Sequence, residues 1–173
     1  MRKLAIIIFA FAFAFGTLSV GYGQSAKVDF SGDWQLDKTR TEGLPPGADQ
    51  AMTVKQEGNR LDVTVRLSGG PGGDQTLEDR YVVNGEAADF KPPMMGGGAT
   101  VKSAKRTAKW ADEAKGFDAT EQAEVKGPDG SDDTLKATRI WRLSDDGKTV
   151  TIEMAVTMPD GAVNKSKRVF TKK

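Results

Sequence analysis

Along most of the chain apolar and polar residues alternate with a period of two, the pattern of strands that bury one face. From Val28 onward such runs are interrupted by turn residues about every 8 to 14 positions, the spacing of an all-β sandwich or barrel. The opening run, Phe30-Ser31-Gly32-Asp33-Trp34-Gln35-Leu36, sets Phe30, Gly32, Trp34 and Leu36 on one face and continues to about Lys38. Residues 39–50 contain Gly43, Pro45, Pro46 and Gly47, which forbid a helix of useful length and predict a rim loop. Strands over 51–56 and 60–68 follow, joined at Glu57-Gly58-Asn59. In the second of them Leu61, Val63, Val65 and Leu67 oppose Asp62, Thr64 and Arg66.

The glycine-rich stretch 69–73 leads into a strand over 76–83. Asn84-Gly85 then predicts a type I′ hairpin into 86–90, because that turn needs positive φ at both central residues. Residues 91–98 form another loop, in which Met94 and Met95 are either an adaptable apolar lip at a ligand entrance or are tucked onto the barrel end. Residues 100–111 fit a helix by propensity and a strand by pattern, with Ala104, Ala108 and Trp110 on one face and Val101 as the exception. Alternation then resumes over 117–125, 134–143, 150–158 and 162–172, with turns at Gly127-Pro128-Asp129-Gly130, Asp145-Asp146-Gly147 and Pro159-Asp160-Gly161. Sequential antiparallel pairing of these segments predicts an all-β fold, an up-and-down β-barrel of about 8–10 strands with no unpaired edge. Lys, Glu, Asp or Arg occupy the second face of nearly every strand, which a lipid-facing barrel would not tolerate, so the apolar face is the inner one.

Composition adds an address and removes several chemistries. Residues 1–23 have the layout of a secretory signal: Arg2 and Lys3, an apolar run over 4–15, then small residues ending at Gly21 and Gly23. The alternative is a membrane anchor, since the uncharged stretch 4–24 has the length of about 20 residues that spans a bilayer. A cleaved signal leaves one barrel domain over 24–173 in the periplasm or outside the cell. Without Arg2 and Lys3 the balance is 23 basic to 24 acidic residues, which gives no long-range attraction to nucleic acid. There is no cysteine, hence no disulfide and no thiol for a lipid anchor, and no histidine, which excludes histidine triads, histidine zinc sites and histidine-ligated haem. The glycine clusters lack the following Gly-Lys-Ser/Thr of a phosphate loop, and Asp129, Asp132 and Asp133 lack the spacing of a calcium loop.

Two motifs carry a family likeness. Phe30-Ser31-Gly32-Asp33-Trp34-Gln35-Leu36-Asp37 resembles the Gly-x-Trp first strand of lipocalins and fatty-acid-binding proteins. Trp141-Arg142-Leu143-Ser144-Asp145-Asp146-Gly147-Lys148-Thr149-Val150 resembles a hairpin of exported bacterial lipocalin-like domains. The resemblance implies that Gly32 and Trp34 close one barrel end and that an arginine from a late strand packs across Trp34. Lys167-Arg168-Val169-Phe170 is similar to the closing strand of fatty-acid-binding proteins, which makes Arg168 that arginine and turns Phe170 to the lumen. The loop over 39–50 is too short for the helix pair those proteins insert, and Phe170 lacks their tyrosine hydroxyl.

Charged residues on apolar faces mark the candidate site: Asp79 with Leu77 and Tyr81, Glu121 with Phe117 and Val125, Arg139 with Leu135 and Trp141, and Arg168 with Phe170. A buried charge is costly unless paired, so these groups either neutralise one another or fork to the carboxylate or phosphate of a ligand. Asp79 and Glu121 could also serve as an acid/base pair, but nothing in their sequence context supports catalysis. The expected protein is a monomeric, non-enzymatic barrel with no cofactor or metal and no stable membrane insertion. Its lumen holds a hydrophobic or weakly acidic small molecule; the alternative is a solid-cored envelope domain that binds another protein.

Overall fold

The computed structural model describes residues 28–70, 72–92, 99–112 and 115–173. The signal-like segment and the Met94-Met95 pair lie outside the described residues. Ten strands follow in order: β1 (Gly32–Leu36), β2 (Asp49–Glu57), β3 (Arg60–Ser68), β4 (Gln75–Val82), β5 (Ala87–Asp89), β6 (Thr100–Trp110), β7 (Gly116–Lys126), β8 (Asp132–Leu143), β9 (Thr149–Thr157) and β10 (Val163–Lys172). They form one antiparallel sheet in the order β4-β3-β2-β1-β10-β9-β8-β7-β6-β5. The first and last strands are neighbours, with Trp34 opposite Lys172 and Leu36 opposite Phe170, so the sheet curls into a nearly closed up-and-down barrel.

The segment that fitted both helix and strand is β6. Its register slips between Val101 and Ser103, a bulge whose extra residue returns Val101 to the inner face beside Ala104 and Ala108. The apparent exception in its alternation is this bulge.

The predicted hairpin at Asn84-Gly85 does not form, and the expectation of a barrel without edges is corrected with it. Gly85 has φ +81°, but no described non-glycine residue has positive φ, so Asn84 is not in the conformation a type I′ turn requires. The Asn84 carboxamide oxygen instead accepts from the Glu86 N–H at 3.0 Å. Partners from elsewhere take the neighbouring amides: Val83 N–H donates to the Asn59 carbonyl (2.7 Å) and Gly85 N–H to that of Ala108 (2.8 Å). The chain is thereby drawn onto β6, β5 pairs with β6 alone, and β4 and β5 face each other as the two edges of a seam.

The barrel is solid at the end where β1 begins. Phe30 and Trp34 are fully buried; Phe117 and Trp141 stack at 5.3 Å, and Phe30 stands edge-on to both. Burial of each such ring contributes about 1.5–3 kcal/mol. Two glycines make this plug possible. Gly32 has φ +140°, and a Cβ on it would lie 2.8 Å from Lys172 Cε. At Gly116 a Cβ would fall 1.9 Å from the Trp141 carbonyl oxygen, so only glycine lets β7 approach β8 there.

Toward the other end the inner wall is less covered. Val65, Leu67, Leu77, Leu135, Ala137, Met154 and Val156 share the inward parity of the core yet are only partly buried. After β1 the chain runs beside β10 as a strap. Asp37 N–H donates to the Val169 carbonyl (2.7 Å) and Glu42 N–H to that of Lys167 (2.9 Å), and Leu44 packs against the core.

Candidate functional site

Between the solid and open halves lies a layer of charge. Asp79 on β4, Arg106 on β6, Glu121 on β7 and Arg139 on β8 all follow the inward alternation of their strands, and strand register brings them to one level. Arg106 is the centre. Its Nε donates to Glu121 Oε1 at 2.9 Å, and Nη2 stands 2.8 Å from the same oxygen. Nη1 donates to Asp79 Oδ1 (2.7 Å) and to the Arg80 carbonyl (2.8 Å), and Nη2 to Asp79 Oδ2 (2.9 Å). Four of the five guanidinium N–H groups therefore donate to an acceptor, and Nη2 also stands in ion-pair contact with Glu121. Its carbon lies 4.1 Å from the ring centres of both Tyr81 and Phe90, which sandwich the cation.

This arrangement closes the seam where backbone pairing fails. β4 is an edge strand, and the carbonyl of Arg80 would have no partner strand; Arg106 supplies the donor from β6. Outside the seam is an open groove of about 560 Å³, lined by Lys55, Asp62, Glu78, Arg80 and Phe90 with Arg106 at its base. Part of its charge is paired already: Asp62 holds Arg80 at 2.6 Å and, beside the groove, Arg60 at 2.7 Å.

Arg139 differs from Arg106. Its Nε donates to Glu121 Oε1 at 2.9 Å, while its two terminal nitrogens make no hydrogen bond among the described residues. Burial alone would lower its pKa, but the Tyr81 phenolate that forms at high pH and the Glu121 carboxylate outweigh this and raise it, so Arg139 is a fixed cation. Tyr81 is 2% exposed, and burial pushes its phenol far above the usual range, keeping the hydroxyl protonated. Beneath them Trp141, also 2% exposed, packs on the Tyr81 ring at 5.5 Å, and its indole N–H has no acceptor among the described residues.

The other candidates separate from this cluster. Phe170 is buried beside Leu36 in the solid half. Arg168 does not pack across Trp34 as the resemblance implied. It donates to the carbonyls of Glu42 and Gly43 and so clamps the strap, and burial lowers its pKa. The cation near the Trp34 ring is Lys172, 5.3 Å from its centre, because Lys172 is the residue opposite Trp34 in the β1–β10 register. Trp34 and Gly32 do sit at the closed end.

Arg106 and Phe90 were absent from the sequence-based candidates. The signal for Arg106 was its parity, since it lies between Ala104 and Ala108 on the face that buries them. Both Asp79 oxygens and Glu121 Oε1 are bonded to arginine, which fits an ion-pair layer better than an acid/base pair. Among the described residues no group of acidic side chains is placed to hold a metal ion. Compared with known proteins, the chain matches no family model, and no curated protein is significantly similar to it.

Proposed function

We propose that the protein is an exported, non-catalytic binding barrel of the lipocalin-like kind, which holds a small hydrophobic molecule in the open half of its lumen. The observation that carries this reading is the contrast between the two halves. On one side of the charged layer inward rings are fully buried; on the other, Ala104, Ala123 and Val125 of β6 and β7 make only a small second cluster, and inward Leu, Val and Met side chains of β3, β4, β8 and β9 remain partly exposed. An apolar inner wall left open to water is stabilised by any ligand that covers it, at about 25 cal/mol per Å² of apolar surface removed from water. Export is supported by the charged, then apolar, then small-residue order of positions 1–23.

The test is titration with a neutral fluorescent naphthylamine probe, in the wild type and in Ala137→Trp. Ala137 lies opposite Glu121 on β7 and Val156 on β9, so an indole there takes up room on the inner wall of the open half. The wild type should bind the probe and the variant should lose binding at unchanged melting temperature. Absence of probe binding, or equal binding by the variant, refutes the lumen as the site and leaves a protein-binding envelope domain.

A further inference from the structure

The charged layer selects among hydrophobic ligands, an inference that rests on the lumen reading above. Two arginines and two carboxylates make the layer electrically neutral, since Arg106 and Arg139 balance Asp79 and Glu121. Its hydrogen-bonding capacity is not balanced. The indole N–H of Trp141 is closed off beneath the layer and has no acceptor among the described residues. The Tyr81 hydroxyl, protonated by burial, and the terminal nitrogens of Arg139 make no hydrogen bond among the described residues. Against these donors the layer offers Glu121 Oε2 as its one carboxylate oxygen without a bonded arginine.

These groups are neighbours. Arg139 and Trp141 are successive inward residues of β8, the Trp141 ring packs on Tyr81, and Arg106, which lies over Tyr81, shares Glu121 Oε1 with Arg139. A ligand carboxylate brought here would satisfy donors but add an uncompensated negative charge to a neutral, mostly buried layer, and burial of a charge without a counter-charge is strongly unfavourable. A carbonyl oxygen accepts from the same donors and brings no charge. Leaving one buried donor unpaired costs about 1–3 kcal/mol, so pairing it favours such a ligand without any change in electrostatic balance.

We infer that the lumen selects hydrophobic molecules that end in an uncharged carbonyl-type oxygen, which is received by the Tyr81 hydroxyl and the free end of Arg139. The layer acts as a floor that reads the polar end, while the apolar wall above it holds the body of the ligand.

The experiment compares 2-undecanone with undecanoate, at a pH where the acid is ionised, as competitors of the naphthylamine probe on the purified protein. The ketone should displace the probe at about tenfold lower concentration than the carboxylate, a ratio that corresponds to 1.4 kcal/mol. Tyr81→Phe keeps the ring and removes one donor, and it should weaken the ketone by about 2- to 12-fold, the worth of one net hydrogen bond, relative to any change in the probe's own affinity. Equal or tighter binding of undecanoate overturns the inference. So does ketone affinity unchanged in Tyr81→Phe, which would mean that water alone satisfies this donor. A probe that binds but yields to neither competitor overturns the inference and spares the lumen reading, whereas a probe that never binds removes both.

Discussion

Arg106→Met tests whether the charged layer holds the barrel together across the seam. Methionine keeps an unbranched chain of similar reach and removes the cation that Asp79 and Glu121 share. The Asp79 and Glu121 side chains are 14% and 7% exposed, so neither can be rehydrated without local opening. Glu121 retains Arg139, but Asp79 has no other cation bonded to it among the described residues. Removal of one member of a buried ion pair costs about 3–5 kcal/mol, because the other charge is left uncompensated. That is a large part of the roughly 5–15 kcal/mol by which domains are stable. With a urea dependence of about 1–3 kcal/mol per molar, the midpoint should fall by about 1–5 M. Urea unfolding followed by tryptophan fluorescence is the assay, since Trp34, Trp110 and Trp141 all lie in the barrel. Adding Asp79→Leu should restore part of the loss, because replacing a buried pair by apolar side chains is close to neutral. The reasoning fails if Arg106→Met costs under about 1 kcal/mol, the range of an exposed pair, or if the double variant is less stable than the single.

Tyr81 should make the fold sensitive to alkali. Its pKa is raised above the ordinary value of 10.0 by burial, so above that pH the unfolded chain loses a proton that the folded chain keeps, and stability falls as pH rises. Phenolate absorbance should therefore show no step from Tyr81 until the barrel unfolds, and Tyr81→Phe should flatten stability against pH in this window; ordinary titration of Tyr81 in the folded protein would contradict its burial. Arg168→Ala should release the strap over 37–48 while leaving the plug intact. We expect a loss of about 1 kcal/mol and faster hydrogen exchange at Glu42, whose N–H is bonded to Lys167. Unchanged exchange there would show that the clamp is idle.

The legible parts of the fold were those in which one strand's own alternation decides the outcome. β3 spans Arg60–Ser68 as its pattern predicts, because Leu61, Val63, Val65 and Leu67 have a single way to face a core. Asp79, Glu121 and Arg139 were visible for the same reason, as charges on apolar faces. The Asn84-Gly85 turn was not legible, because its outcome depends on Asn59 and Ala108, which are distant in sequence and accept the amide protons a hairpin would have used. Arg106 was hidden by composition: its strand also carries Lys102, Lys105 and Lys109, so one more cation drew no notice until parity placed it inside. The role of Arg168 depended on register, and β10 brings Lys172 rather than Arg168 opposite Trp34.

The seam connects these features. Unpaired strand edges invite other chains, and proteins guard them with short strands and with charges turned inward. β5 has three residues, and β4 carries Asp79 on its inner face; addition of a foreign strand along the seam would have to avoid a carboxylate that Arg106 holds and a carbonyl that Arg106 has already capped. The turn that abandoned its hairpin created the edge, and the arginine two positions before Ala108, which captured that turn, closes it. The same side chains form the floor of the open lumen. On the proposed reading, stability across the seam and selection of a ligand's polar end are properties of one layer, and they separate only in variants such as Tyr81→Phe that remove a donor and leave every ion pair in place.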